Sequence, residues 1–464
     1  MNHSYFFLKL FCLFFIITSS KCNNYGDSET GSTTEYKKPN ASAFFHDYLA
    51  NRKKTCDSIY PLTLNQIEEE QTAVWEAWKT ANQSFHEEKL PSLSPLSQTS
   101  HHWNLPAHLE PNAAMPFYWG SKGDHIPPTG YPLYIYIHGS GHKDKEWAIG
   151  LQICQYFNDA PSVYFIPQIP NMGDYYRWWQ KAKQYAWEKL LRLAFISGKI
   201  NPNQVYIFGI SEGGYGSQRL ASFYADYLAG AGPMAGGEPL KNAPVENCRN
   251  IAFSMLTGAL DNGFYRNKLT QYTKDEFAKL QKNDSDSFIH RIELIPNRGH
   301  SIDYTQTTPW LKNYTRNPYP KRVTWENFEM DGLYRTGFYN LYVKERSNTD
   351  ANTRTHYEME INENTITLKV DEVTYQTTEK DPHWGIDLKF EKNYKPAQSG
   401  RIVIYLCNEL IDLSKKVTLI VNGKKVYKGY VKPDLKHIIN SCAIFFDPER
   451  LYPAALEVDL STLK

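Results

Sequence analysis

The sequence predicts an α/β protein. A parallel sheet covered by helices on both faces forms its centre, with a helical N-terminal extension before it and an all-β, sandwich-like domain after it. Three observations carry this prediction. The apolar runs LYIYI (133–137), SVYFI (162–166) and VYIF (205–208) alternate with helical periodicity from about Leu105 to Trp325, and strands apolar on both faces belong in a parallel sheet between helix layers. Beyond Trp325 the helical spacing stops, and TITLKV (365–370), RIVIYL (401–406) and VTLIV (417–421) read as strands. A chain of 464 residues with 41 % hydrophobic content also has the length for about two or three domains with sizeable cores.

Residues 1–20 read as an export signal. Lys9 precedes the apolar run Leu10–Ile17, and Thr18-Ser19-Ser20 supplies small residues for cleavage. The run is too short for a permanent membrane span. The expected location is therefore outside the cytoplasm: periplasmic, outer-surface or secreted. Cys22 is a candidate for a lipid anchor, although Lys21 before it fits that cleavage pattern poorly; a lipidated and an unmodified Cys22 both stay open. The other cysteines of the mature chain (Cys56, Cys154, Cys248, Cys407, Cys442) form no C-x-x-C or Cys/His cluster, so free buried thiols are expected and a metal site is not.

Residues 21–104 form the extension and linker. Ala41–Arg52 and Leu64–Glu88 have helical spacing, the second with Trp75, Ala77, Trp78 and Ala81 on one face. Leu90–Ser100 (LPSLSPLSQTS) is a Pro/Ser-rich linker. Within the central domain, 105–325, further helices are expected at Trp147–Phe157, Trp178–Ile196 and Ser217–Ala229, and further strands at Ile251–Thr257 and Ile289–Ile295. The last domain, 326–464, includes Asn422-Gly423 between VTLIV and KVY, a strong type I′ hairpin signal.

The charge balance, 51 Lys+Arg against 50 Asp+Glu, lacks the basic footprint of a nucleic-acid binder. A mean hydropathy of -0.56 with one apolar run excludes a polytopic membrane protein. The 14 % aromatic content suits surfaces that face sugars or aryl groups, and Tyr-rich strands account for it equally well.

The chemistry centres on Gly209-Ile210-Ser211-Glu212-Gly213, directly after VYIF and before a helix. A G-x-S-x-G turn in that context is a nucleophile elbow: the glycines permit a very tight turn that leaves the serine hydroxyl exposed at the carboxyl edge of the sheet. A serine needs a base, and the base needs an orienting carboxylate. His300, in NRGH after the last strand of the sheet, is the expected base, whereas His290 begins that strand. Asp261, in GALD after IAFSMLT, is the expected acid, ahead of Asp284, Asp286 and Asp303. For the oxyanion, the backbone N–H groups of Ser140, in His138-Gly139-Ser140-Gly141, and of Glu212 are the expected donors, with Gly141 as a replacement for Ser140. His138 is expected to be structural.

HGSG, GISEGG, GALD and NRGH, in this order, resemble the α/β-hydrolase superfamily over about Leu105–Pro320. The nearest resemblance is to secreted bacterial esterases of the feruloyl-esterase and polyhydroxybutyrate-depolymerase type, and to prolyl-oligopeptidase-like serine hydrolases. It implies a Ser211–Asp261–His300 triad, an acyl-enzyme and no metal or organic cofactor. The expected function is a serine esterase acting on a small-molecule or polysaccharide ester, acyl or feruloyl groups on polysaccharide included. A prolyl-oligopeptidase-like peptidase is the alternative. The peptidase alternative requires acidic residues to hold a peptide amine, for which Glu238 and Glu212 are suitably placed. Trp178 and Trp179 are candidates to stack a sugar or phenolic acyl group, or else open the next helix and enter the core. Glu238 is likewise a candidate substrate contact or a structural carboxylate.

Overall fold

Eight strands make the central sheet: β1 (Ser100–Asn104), β2 (Ala114–Lys122), β3 (Tyr131–Ile137), β4 (Ser162–Pro167), β5 (Ile200–Ile210), β6 (Gly230–Met234), β7 (Ala252–Gly258) and β8 (His290–Ile295). Their order is β1-β2-β4-β3-β5-β6-β7-β8. The pairs β1/β2 and β2/β4 are antiparallel, and from β4 to β8 all neighbours run parallel. This is a computed structural model, and it describes residues 36–123 and 125–463. The export segment 1–20 and Cys22 lie outside the described residues.

The inner parallel strands are buried on both faces, as their apolar sequences require: every residue of β4, β6 and β7 is buried, whereas the edge strand β8 (HRIELI) is partly exposed. Between the strands run Lys143–Tyr156, Lys181–Ile196, Glu212–Tyr224 and Arg266–Asn283, four helices against the sheet. The helix expected from Ser217 begins at Glu212, immediately after the elbow serine. The helix expected from Trp178 begins at Lys181. The antiparallel strands β1 and β2 are additions to the sequence reading, which takes Ser100 as the end of a linker. β1 (SHHWN) has no apolar run, and the run of β2 (AMPFYWGSK) contains Pro116, which argues against a strand inside a sheet.

The N-terminal helices are Ala41–Leu49 and Ile67–Ser84. The Asn40 side chain caps the first by accepting from the Ala43 N–H at 3.0 Å. Phe45 meets Trp78 edge-on at 5.0 Å, and both pack on Ile438, Ile439 and Cys442 of a C-terminal helix, Leu435–Phe445. That helix is a departure from the all-strand reading beyond Trp325. Its spacing is amphipathic, with Leu435, Ile438, Ile439 and Cys442 on the buried side.

The rest of the C-terminal region is two sheets. One is four-stranded; the other has five strands in a row, with Asp387–Pro396 pairing Thr365–Lys380 beside them. Trp325 of the larger sheet stacks on Phe338 of the smaller, 5.3 Å apart and 10° from parallel, so the sheets share a core. Asn422 and Gly423 both have positive φ, 46° and 79°, as the type I′ turn demands. Lys37–Lys464 forms one compact unit. Among the described residues the five cysteines are free and buried. No helix among them is long and apolar enough to cross a membrane.

Candidate active site

The elbow closes where β5 meets the helix Glu212–Tyr224. Ser211 has φ 58° and ψ -114°, a strained conformation that projects its side chain out of the turn. A Cβ at Gly213 would lie 1.9 Å from the Ile137 carbonyl oxygen, and one at Gly209 would lie 2.5 Å from the same atom. Only glycine allows the turn to pass this close to β3. The Ser211 N–H donates to the Met234 carbonyl at 2.9 Å, which ties the turn to β6.

The structure brings Ser211, His300 and Asp261 together. His300 Nε2 is 3.0 Å from Ser211 Oγ, and its Nδ1 is 2.7 Å from Asp261 Oδ2. With Nδ1–H donating to the carboxylate, Nε2 is left to accept the serine proton. His300 is half-exposed and Asp261 is buried. Arg266, which the sequence does not single out, clamps Asp261: Nε lies 2.9 Å from each carboxylate oxygen and Nη2 lies 2.6 Å from Oδ1. Burial works to raise the Asp261 carboxyl, but the hydrogen bonds from Arg266 and His300 outweigh it and hold it below its ordinary value. Asp261 is thus ionised at neutral pH.

The loop His138–Gly141 lies beside the nucleophile: a Cβ at Gly139 would be 3.5 Å from that of Ser211. Ser140 is exposed at its tip. Glu212 is the first residue of its helix, where backbone N–H groups have no intrahelical partner. His138 is fully buried and braces the loop. Its Nδ1 donates to the Gly139 carbonyl at 2.7 Å and its Nε2 accepts from the Ile169 N–H at 3.1 Å. Burial pushes its pKa down to about 4, so the neutral tautomer required by those two bonds is the stable one. Tyr176 OH also donates to the Gly139 carbonyl, at 2.6 Å.

Trp178 requires a correction. It is fully buried, and its Nε1 donates to the His138 carbonyl at 2.9 Å, so it supports the loop from below and cannot contact substrate. Trp179 is half-buried, and the Arg219 guanidinium lies over its ring, 3.9 Å from the centroid. Glu238 is buried. Its Oε1 is 2.7 Å from Arg219 Nε, and its Oε2 accepts from Asn242 at 3.0 Å. Glu212 Oε1 is 3.6 Å from Arg177 Nη1 and has no hydrogen-bond partner. Glu212, which follows Ser211 in the chain, thus shares its surroundings with one further carboxyl, Glu238, and two guanidinium groups, Arg177 and Arg219.

Burial, helped by Glu238, raises the Glu212 pKa to about 7 against the pull of Arg177 and Arg219. A raised acid pKa means that the fold favours the neutral carboxyl. Its contribution to stability is full below the ordinary value of 4.5 and is lost as pH rises through about 7. Melting curves from about pH 5 to about pH 8 are expected to show wild type losing stability relative to Glu212→Gln, which carries no titrating group there. Parallel curves would show that Glu212 is already ionised at the acid end.

Among the described residues no group of three or more His, Cys, Asp or Glu side chains is arranged to hold a metal ion. No protein-family model and no curated protein sequence matches the chain. Solved structures are similar over somewhat less than half of it. A thermostable esterase aligns at 19 % identity and TM-score 0.37, over 47 % of this chain and 63 % of that one. This chain therefore spans less than two thirds of the esterase's length. A ferulic acid esterase aligns at 13 % and 0.35, over 46 % and 97 %. S-formylglutathione hydrolase FrmB from Staphylococcus aureus aligns at 13 % and 0.34, over 47 % and 100 %. Likenesses at these scores say nothing about chemistry. Strand order, two antiparallel strands leading into a parallel run, and the strained serine between β5 and its helix establish that the region from Ser100 to Ile295 has the α/β-hydrolase fold.

Proposed function

We propose that the protein is an exported serine hydrolase that cleaves carboxylic esters through an acyl-enzyme. The observation that carries this reading is the hydrogen-bonded chain Ser211–His300–Asp261, at 3.0 and 2.7 Å, on an elbow. In the proposed reaction His300 Nε2 takes the Ser211 proton as Oγ attacks the acyl carbon. Asp261 holds the ring and stabilises the imidazolium. The backbone N–H groups of Ser140 and Glu212 receive the oxyanion. His300 then protonates the leaving alkoxide, and a water attacks the acyl-enzyme with the same base.

Ester rather than peptide substrate is favoured by the charges around Glu212. Glu238 and Glu212 are the acids available to hold a peptide amine, and they face Arg219 and Arg177 at 2.7 and 3.6 Å. The quartet sums to no net charge when both acids are ionised and to a positive one when Glu212 is protonated. Neither state attracts an ammonium group. Export rests on the sequence of residues 1–20 alone.

A fluorophosphonate probe is expected to label wild type on Ser211 and to leave Ser211→Ala unlabelled. Among p-nitrophenyl acetate, feruloyl methyl ester and prolyl p-nitroanilide, the esters are expected to be cleaved and the anilide not. A label on another residue would overturn the assignment of the nucleophile. Preference for the anilide would move the protein to the peptidases.

A further inference from the structure

The C-terminal β region reaches the site through one hairpin, Thr365–Lys380 paired with Asp387–Pro396. Its turn lies against the loop that follows Asp261. Tyr265 OH donates to Asp381 Oδ1 at 2.9 Å, Lys268 Nζ pairs with Glu379 at 2.8 Å, and Lys241 Nζ pairs with Asp387 at 2.9 Å. The other Asp381 oxygen accepts the Trp384 N–H, which fixes the turn internally. The hairpin is therefore docked on the hydrolase domain along its length.

The docking places two apolar rings in the open. Phe264 and Trp384 meet at 4.7 Å and 57°, yet remain 45 % and 56 % exposed. Leu260, beside them in sequence, is more exposed still. Large apolar side chains left out in a group mark a binding surface. Two consecutive side-chain-bearing residues, Phe264 and Tyr265, adopt left-handed backbone with φ 50° and 60°. The Phe264 ring is partly exposed and meets Trp384. The Arg266 guanidinium lies 5.6 Å from the Phe264 ring centroid, and that guanidinium holds Asp261 at 2.6 Å. A continuous path of side chains thus runs Ser211, His300, Asp261, Arg266, Phe264, Trp384.

We propose that Trp384 and Phe264 form a stacking subsite for a pyranose ring on the alcohol side of the ester. A pyranose has an apolar C–H face that stacks on an aromatic ring while its hydroxyl edge stays hydrated. It therefore takes an open platform with polar neighbours, here His383, whose ring lies 4.4 Å from Trp384, and Asp381. An aryl group gains most from an enclosed slot, which an open corner is not. In this proposal the acyl group on Ser211 Oγ is short, and the platform takes a ring further along an alcohol that continues as an oligosaccharide. The hairpin is then a specificity element lent by the β region to the hydrolase domain.

The subsite presupposes the ester-hydrolase function, and the test separates the two. For the full chain, Trp384→Ala is expected to lower kcat/KM on O-acetylated xylo- and cello-oligosaccharides about tenfold relative to p-nitrophenyl acetate, through KM. Trp384→Phe, which keeps a ring, is expected to recover most of it. An unchanged ratio overturns the subsite, and so does a loss that falls selectively on feruloyl methyl ester, which would put the platform on the acyl side. If wild type cleaves none of these esters, the hydrolase function fails on its own. The subsite is then judged by calorimetry of Ser211→Ala with the same oligosaccharides: binding abolished by adding Trp384→Ala upholds it, and no binding at all overturns it.

Discussion

Ser211→Ala is expected to lower kcat on p-nitrophenyl acetate by about 10⁶-fold, and His300→Ala by nearly as much. The two together are expected to cost no more than either alone. Nucleophile and base work as one unit at 3.0 Å, so removing one leaves the other without a task. Asp261→Asn keeps the shape of the site but offers Nδ1 a group that can donate, which favours the wrong tautomer of His300. A loss of about 10⁴-fold is expected. Arg266 acts on the same carboxylate from the other side, with three contacts of 2.6 to 2.9 Å. Rates from single turnovers, measured across pH, separate chemistry from binding. Full turnover by Ser211→Ala would remove the assignment altogether, and additive losses for Ser211→Ala and His300→Ala would show that they do not form a unit.

Asp226→Ala is expected to lower the stability of the whole chain by roughly 3–5 kcal/mol. Asp226 follows the helix of the elbow and is completely buried between two arginines of the C-terminal region. Arg450 Nη1 is 2.7 Å from it and Arg335 Nη2 is 3.0 Å. Arg450 also reaches Asp447 at 2.8 Å, and Asp447 in turn binds Arg316 at 2.7 Å. Tyr227 lies beneath both the Arg450 and Arg335 guanidinium groups, 4.1 and 5.2 Å from its ring centroid. Burial alone would raise the Asp447 carboxyl, but Arg316 and Arg450 hold it below its ordinary value. Removing Asp226 leaves the Arg335 guanidinium in the interior without its ion-pair partner and Arg450 with Asp447 alone, and the total stability of a typical domain is only about 5–15 kcal/mol. The denaturant midpoint is expected to fall for both regions in one transition, because the network joins them. Two separate transitions, with only the C-terminal one shifted, would show that the regions unfold independently.

The parts of the site legible in sequence are those that chemistry ties to a short string. GISEGG is one, because the close approach of Gly209 and Gly213 to β3 leaves no other residue type acceptable. HGSG and GALD are others, each following a continuous apolar run, and NRGH follows the alternating strand HRIELI. The aromatic candidates were not legible in the same way. Trp178 and Trp179 sit in a run that suits a binding face and a core equally, and burial put Trp178 beneath the HGSG loop. β1 carries no apolar run, the run of β2 contains Pro116, and the helix Leu435–Phe445 stands among strands. The sequence reading therefore passed over all three.

The order of strand, elbow and the loops after the later strands is a local property, written in which residues follow which apolar run, and so the sequence by itself determined the α/β core and brought Ser211, Asp261 and His300 forward as the candidate triad. What only the tertiary structure decided are the partners brought from far along the chain. Trp384 reaches Phe264 across a gap of more than a hundred residues, Arg335 and Arg450 converge on Asp226, and Arg219 and Arg177 occupy Glu238 and Glu212. Such contacts depend on how separate layers pack, and neither periodicity nor motif spacing encodes which surface charge or ring will meet another. The aromatic surplus of the composition is divided the same way: much of it fills the cores, and among the rings left in the open Phe264 and Trp384 meet only because the fold brings them together.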